Sequence, residues 1–138
     1  EAERFGSRAR HLPPIADYAD FVPYLRSLGW WVGLAPLQDN VFNRSKADTK
    51  WVEYSMAGMA VVASDLPVYH RACADGAGIL AGSTSGWTEA VIRLVHNPRA
   101  RQLMIATAQE KLRETYSHER LREQVIAVFE QATAIARG

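Results

Sequence analysis

Thr49-Lys50-Trp51-Val52-Glu53-Tyr54-Ser55-Met56-Ala57-Gly58, followed by Ala60-Val61-Val62-Ala63, is the stretch on which the fold turns. Residues 49–57 predict a helix, with Asp48 or a neighbour as its cap. Gly58 falls at its C-terminal end, where a residue without Cβ enters the left-handed region at no steric cost. Residues 60–63 are short, β-rich and wholly apolar, as in a strand covered on both faces. Upstream, Trp30-Trp31-Val32-Gly33-Leu34-Ala35 is a second unbroken apolar run, closed by Pro36, and it predicts another strand buried on both faces. Two such strands with a helix between them give the βαβ rhythm of a parallel sheet.

Further upstream, residues 8–12 suggest a strand, and Pro13-Pro14 forces an extended connector. Phe21, Leu25 and Leu28 recur at helical spacing before Gly29, so a short helix is expected over 20–28, with Asp20 as its cap and Pro23 in its first turn. Residues 36–47 read as a polar loop. Downstream, residues 64–67 read as a turn, and a weaker strand is expected over 78–81 after Asp75-Gly76.

From there the pattern is helical. Trp87, Ala90, Val91, Leu94 and Val95 share one face of a helix ending at His96, and Asn97-Pro98 opens the next. That helix is expected to reach about Thr115 with Leu103, Thr107 and Leu112 inward. Ser117 caps a last helix, 117–136, striped by Leu121, Val125, Val128, Phe129, Ala132 and Ile135. No internal repeat interrupts this order, so residues 1–138 are read as one domain.

Composition agrees with a folded globule. Of 138 residues, 48% are hydrophobic and 22% charged, and the net charge of +1 gives no broad field for nucleic acid or an anionic bilayer. Any anion must be held by a local site. Cys73 is the single cysteine, which excludes an internal disulfide and a cysteine-based zinc site, and it is expected to be a small filler in a reducing, cytoplasmic compartment. No apolar run approaches the roughly 20 residues that cross a bilayer, and the opening Glu1-Ala2-Glu3-Arg4-Phe5 lacks signal-peptide character. That abrupt opening suggests a piece of a longer protein. The histidines at 11, 70, 96 and 118 have no metal-ligand spacing, and the tryptophans are expected in the core.

The residues that can carry chemistry lie between the first strand and the helix: Asn43, Ser45, Lys46, Thr49, Lys50 and Glu53. A helix start presents unpaired amides and the positive end of a dipole to the crevice above the sheet, where open α/β folds bind ligands. Lys46 and Lys50 add mobile cations, and Glu53, about one turn in, is a carboxylate able to accept two hydrogen bonds from a ribose diol. A diphosphate-ribose ligand satisfies all three features. The alternative is a solvated surface on which Glu53 pairs with Lys46 or Lys50.

The run Lys50-Trp51-Val52-Glu53-Tyr54 through Gly58 to Val61-Val62-Ala63-Ser64-Asp65 resembles the K-x-x-E-Y-x-x-x-G-x-P-V-V-A-S-D segment of group 1 glycosyltransferases, which have the GT-B fold. Gly33-Leu34-Ala35-Pro36-Leu37, Trp87-Thr88-Glu89-Ala90, Asn97-Pro98-Arg99 and Tyr116-Ser117 fall where that family has similar words. The resemblance implies a Rossmann-like parallel sheet flanked by helices. It would be the C-terminal, donor-binding half of a retaining enzyme, truncated at its N-terminus and inactive alone. It also implies that a nucleoside-diphosphate sugar is the substrate, with no cofactor and no metal. Glu53 would be the second glutamate of an E-x7-E motif, gripping the ribose, with residues 48–50 facing the diphosphate. Leu12, Pro13 and Ile15 would form the base pocket.

The chain departs from the family at position 45, where Ser45 replaces the first glutamate; Asn43, Ser45 or Lys46 would have to hold the donor sugar. The last helix, 117–136, would pack on the missing N-terminal domain, and the acceptor, a saccharide or a lipid at a membrane surface, would be met there. A non-catalytic flavodoxin-like or degenerate transferase-like interaction domain is the rival reading. A phospho-receiver is excluded, because the clustered acids and the late-strand lysine that it needs are missing.

Overall fold

The computed structural model describes residues 5–136. Its helices and strands run in the order α1 (Tyr18–Ser27), β1 (Val32–Ala35), α2 (Val41–Arg44), α3 (Thr49–Ala57), β2 (Ala60–Ser64), α4 (Pro67–Cys73), β3 (Ile79–Ala81), α5 (Thr84–His96), α6 (Pro98–Thr115) and α7 (His118–Ala136). The three strands form one parallel sheet in the order β1-β2-β3. Val32 pairs with Ala60 at one end of the first ladder, and Ser64 pairs with Ala81 at one end of the second. The chain is therefore α/β, a small parallel sheet flanked by helices.

The centre of the sheet shows why it holds. All five residues of β2 are buried, and they alternate between two cores. Val61 and Ala63 point to a cluster with Trp51, Tyr69, Ala72 and Ala108; Ala60 and Val62 point to one with Ala90, Leu94 and Met104. This is the period-2 geometry of a strand with a helix layer on each face. Gly58 ends α3 at φ +83°, and the amide of Met59 reaches back to the carbonyl of Tyr54, so the chain turns directly from helix into strand.

β1 departs from expectation. The apolar run 30–35 predicts burial on both faces, yet Trp31 is 56% exposed, Leu34 46%, and Trp30 is also exposed. β1 is the edge of the sheet, and the helix layers reach only part of it. These two tryptophans are therefore not core residues, whereas Trp51 is fully buried and donates its indole N–H to the carbonyl of Ala77 at 2.8 Å. Trp31 instead lies under the guanidinium of Arg101, 4.5 Å from its ring centroid. Arg101, itself buried on α6, donates to the carbonyl of Leu94 at 2.6 Å and so satisfies the open end of α5.

Other elements also differ from their predicted form. Residues 8–12 form no strand: a 3-10 turn at Gly6–Arg8 is followed by irregular chain. α1 starts earlier than expected because Asp17, not Asp20, caps it, accepting from the amide of Ala19 at 2.9 Å. Pro23 consequently lies inside the helix. α2 interrupts the loop expected over 36–47. The stretch 64–67, read as a turn, leads straight into α4, because Pro67 takes the first helical position, where its missing N–H costs nothing. On α6 the inward residues are Arg101, Met104 and Ala108, Leu112 packs against the cluster that holds Ala108, and Leu103 is exposed.

α7 starts after Ser117 as expected, the hydroxyl accepting from the amide of Arg120 at 3.3 Å. Its apolar stripe is exposed at Leu121, Val125, Val128, Phe129 and Ile135. Cys73 is buried, and burial pushes its thiol up to about 12, in keeping with a filler role. No helix among the described residues is long and apolar enough to cross a membrane.

Candidate functional site

A cleft of about 480 Å³ opens at the carboxyl end of β1. Its floor is Leu34, Ala35, Pro36 and Leu37. Lys46, Ala47, Thr49 and Lys50 at the start of α3 line it, and Tyr54 and Tyr69 complete the lining. The loop leaving β1 is fastened to the end of β2 by Ser64, whose hydroxyl accepts from the amide of Leu37 at 2.7 Å and donates to its carbonyl at 3.0 Å. Tertiary bonds thus position the cleft, which lies on the side of the sheet where the strands end.

The helix start itself is open. Asp48 occupies the capping position, but its carboxylate makes no bond to the first turn. It accepts instead from the hydroxyl of Tyr116, which also receives a bond from Arg71 at 3.4 Å. Burial and then this bond to Asp48 push the Tyr116 phenol up to about 12, so it remains a proton donor across the physiological range. The carbonyl of Asp48 takes the amides of Trp51 and Val52, and the amides of Thr49 and Lys50 have no partner within the described residues. Such amides carry partial positive charge and suit an anion.

Lys46, Thr49 and Lys50 line the cleft together. Lys46 rests its ammonium 4.8 Å from the ring centroid of Phe42. Lys50 donates to a carboxylate oxygen of Glu53 at 2.9 Å. Burial alone would lower the pKa of Lys50, but the hydrogen bond and charge of Glu53 prevail and raise it. Glu53 is only 4% exposed and is not among the cleft's lining residues. It lies near Tyr18 of α1, whose phenol is raised by burial and then by the Glu53 charge. The pairing of Glu53 with Lys50, which the solvated-surface alternative expects, is therefore present.

Asn43 and Ser45 hold the loop. The amide nitrogen of the Asn43 side chain donates to the carbonyl of Gln38 at 2.9 Å, and the Ser45 hydroxyl donates to the carbonyl of Val41 at 3.2 Å. Neither lines the cleft. Leu12 and Ile15 are half-buried, Pro13 is exposed, and none of the three belongs to the lining. Tyr54 and Tyr69 are lining residues that sequence reasoning did not single out. The signal for Tyr69 was Pro67 as a helix opener, with Tyr69, Ala72 and Cys73 as the inward side of that helix.

His70, on α4, pairs with Asp65 at 2.8 Å, with both side chains about half exposed and outside the cleft lining. Among the described residues no three His, Cys, Asp or Glu side chains group as metal ligands. No family model matches the chain, and neither a curated protein nor a solved structure matches it.

Proposed function

We propose that this chain is the donor-binding part of a retaining GT-B glycosyltransferase, which moves a sugar from a nucleoside-diphosphate donor to a saccharide or lipid acceptor. The observation that carries the reading is the uncapped start of α3, whose free amides at Thr49 and Lys50 open beside Lys46 into a cleft at the carboxyl end of a parallel sheet. The resemblance of residues 50–65 to the family's donor-site segment supports the same assignment. The diphosphate sits against these amides and lysines, which stabilise the charge that develops on it as the sugar leaves. The compartment we infer is the cytoplasm. In this reading further β-α units and an acceptor-binding domain belong to the same enzyme, and the open edge at β1 and the bare stripe of α7 are where they would meet this chain.

Glu53 is buried, paired with Lys50 and outside the cleft lining, so in this reading the nucleotide is held by the amides and lysines rather than by a contact between Glu53 and the ribose. Ser45 favours the second reading, a degenerate transferase domain kept for interaction, since its hydroxyl is spent on Val41 and no carboxylate lines the cleft.

Calorimetry with a panel of nucleoside-diphosphate sugars tests donor binding. One of them is expected to bind, its parent nucleoside more weakly, and Lys50→Ala to lose about tenfold in affinity, the scale of one charge-assisted contact. Equal affinities for Lys50→Ala and the parent chain, or no binding by any donor, would overturn the assignment. Sugar transfer by the complete enzyme separates the catalytic reading from the degenerate one.

A further inference from the structure

Tyr69 has no part in the reading so far. It is 2% exposed, lies on α4, lines the cleft together with the start of α3, and belongs to the core cluster of Trp51, Val61 and Ala63. Its hydroxyl takes part in no hydrogen bond among the described residues. Among the described residues the one side-chain polar atom both sealed from solvent and unpartnered is Ser55 Oγ, so the Tyr69 hydroxyl is in reach of solvent. The cavity that Tyr69 lines is this cleft.

A hydroxyl with no protein partner, on a side chain that lines a cleft, is free to donate to whatever enters that cleft. Tyr69 lines the same cleft as Thr49 and Lys50, whose amides are unpartnered among the described residues. We propose that the Tyr69 hydroxyl is a third donor of the anion site, closing on a phosphate oxygen held by the amides of Thr49 and Lys50. This rests on the donor-binding reading and extends it to a positioning residue on a second element.

A tyrosine suits the task. Burial, with smaller contributions from Cys73, Tyr54, Asp48 and Glu53, raises its phenol, so it stays a donor wherever a phosphate is ionised. The Glu53 charge is offset by Lys50, and Lys46 and Lys50 bring two positive charges to the cleft. An amide pair alone accepts any small anion, whereas donors from two sides select a tetrahedral oxyanion of phosphate size.

The test uses inorganic pyrophosphate and uridine diphosphate as probes, with Tyr69→Phe removing one oxygen and leaving the ring packing intact. Affinity for the probes is expected to fall about tenfold while the melting temperature and the weak affinity for uridine stay as in the parent. If Tyr69→Phe binds both probes as the parent does, this inference is overturned and the functional reading stands. If the parent binds neither probe, both are overturned. A measurement in the intact fold guards against a misfolded variant: with fluorotyrosine incorporated, the Tyr69 resonance should move with pyrophosphate occupancy. An unmoved resonance at saturation also overturns the inference.

Discussion

Gly33→Ala is expected to destabilise the chain by roughly 2–3 kcal/mol, which in a chain of this length lowers the melting temperature by about 6–12 °C. A Cβ at position 33 would lie 2.5 Å from Cγ of Tyr54 and 3.0 Å from its Cβ. Those atoms are close to the α3 backbone, so the overlap is not relieved by moving the far end of a flexible side chain. Alanine would by itself stabilise a strand by about 0.5–1 kcal/mol through the unfolded state, and the overlap outweighs this. Gly58→Ala provides the scale. There φ is +83° but the nearest atom is 4.0 Å away, so the expected cost is only the left-handed backbone, about 1 kcal/mol. Because Tyr54 lines the cleft, Gly33→Ala should also weaken nucleotide binding, whereas Gly58→Ala should leave it unchanged. Thermal melts of the two variants beside the parent check the order.

The larger loss is expected for Trp51→Ala, about 3–5 kcal/mol, from the cavity that replaces a fully buried indole. The substitution also strips the carbonyl of Ala77 of its donor and removes the ring against which Tyr116 lies, at 5.8 Å between centroids. Domains of this size are stable by only about 5–15 kcal/mol, so the variant should be substantially unfolded at 37 °C. Trp51→Phe, which keeps most of the volume, should lose about half as much. Chemical denaturation measures both. A Trp51→Ala curve within 1 kcal/mol of the parent would mean that this indole is not the anchor of α3 that its burial implies.

These two sites show where the sequence was informative. The helix, glycine and strand over 49–64 were legible because the signals agree: a polar start, a residue suited to positive φ, and an apolar run too short for a helix. The same logic found β1 but misjudged its burial. An apolar run does not say whether a strand is central or at an edge, and Trp31 and Leu34 are exposed because β1 has a neighbour on one side only. α4 was hidden because Leu66-Pro67 was read as a turn, although proline at a first helical position fixes φ and sacrifices no hydrogen bond. That omission removed Tyr69 from consideration.

Within the candidate site, the helix start and its lysines were legible from spacing. The fates of Asn43 and Ser45 were not, since side-chain bonds to Gln38 and Val41 depend on how the loop closes on itself. Nor was the release of Asp48 from its capping position foreseeable, because its partner, Tyr116, is distant in sequence.

Everything functional rests on the open amides of α3 receiving the phosphates of a nucleotide. The most direct measurement is an amide-resolved NMR titration of the chain with uridine diphosphate and guanosine diphosphate. The account predicts saturable shifts that are largest at the amides of Thr49 and Lys50, with smaller ones at Leu37 and Tyr69. Saturation with those two amides unmoved, or no shift anywhere at about 10 mM nucleotide, well above the affinity of any useful site, would contradict it.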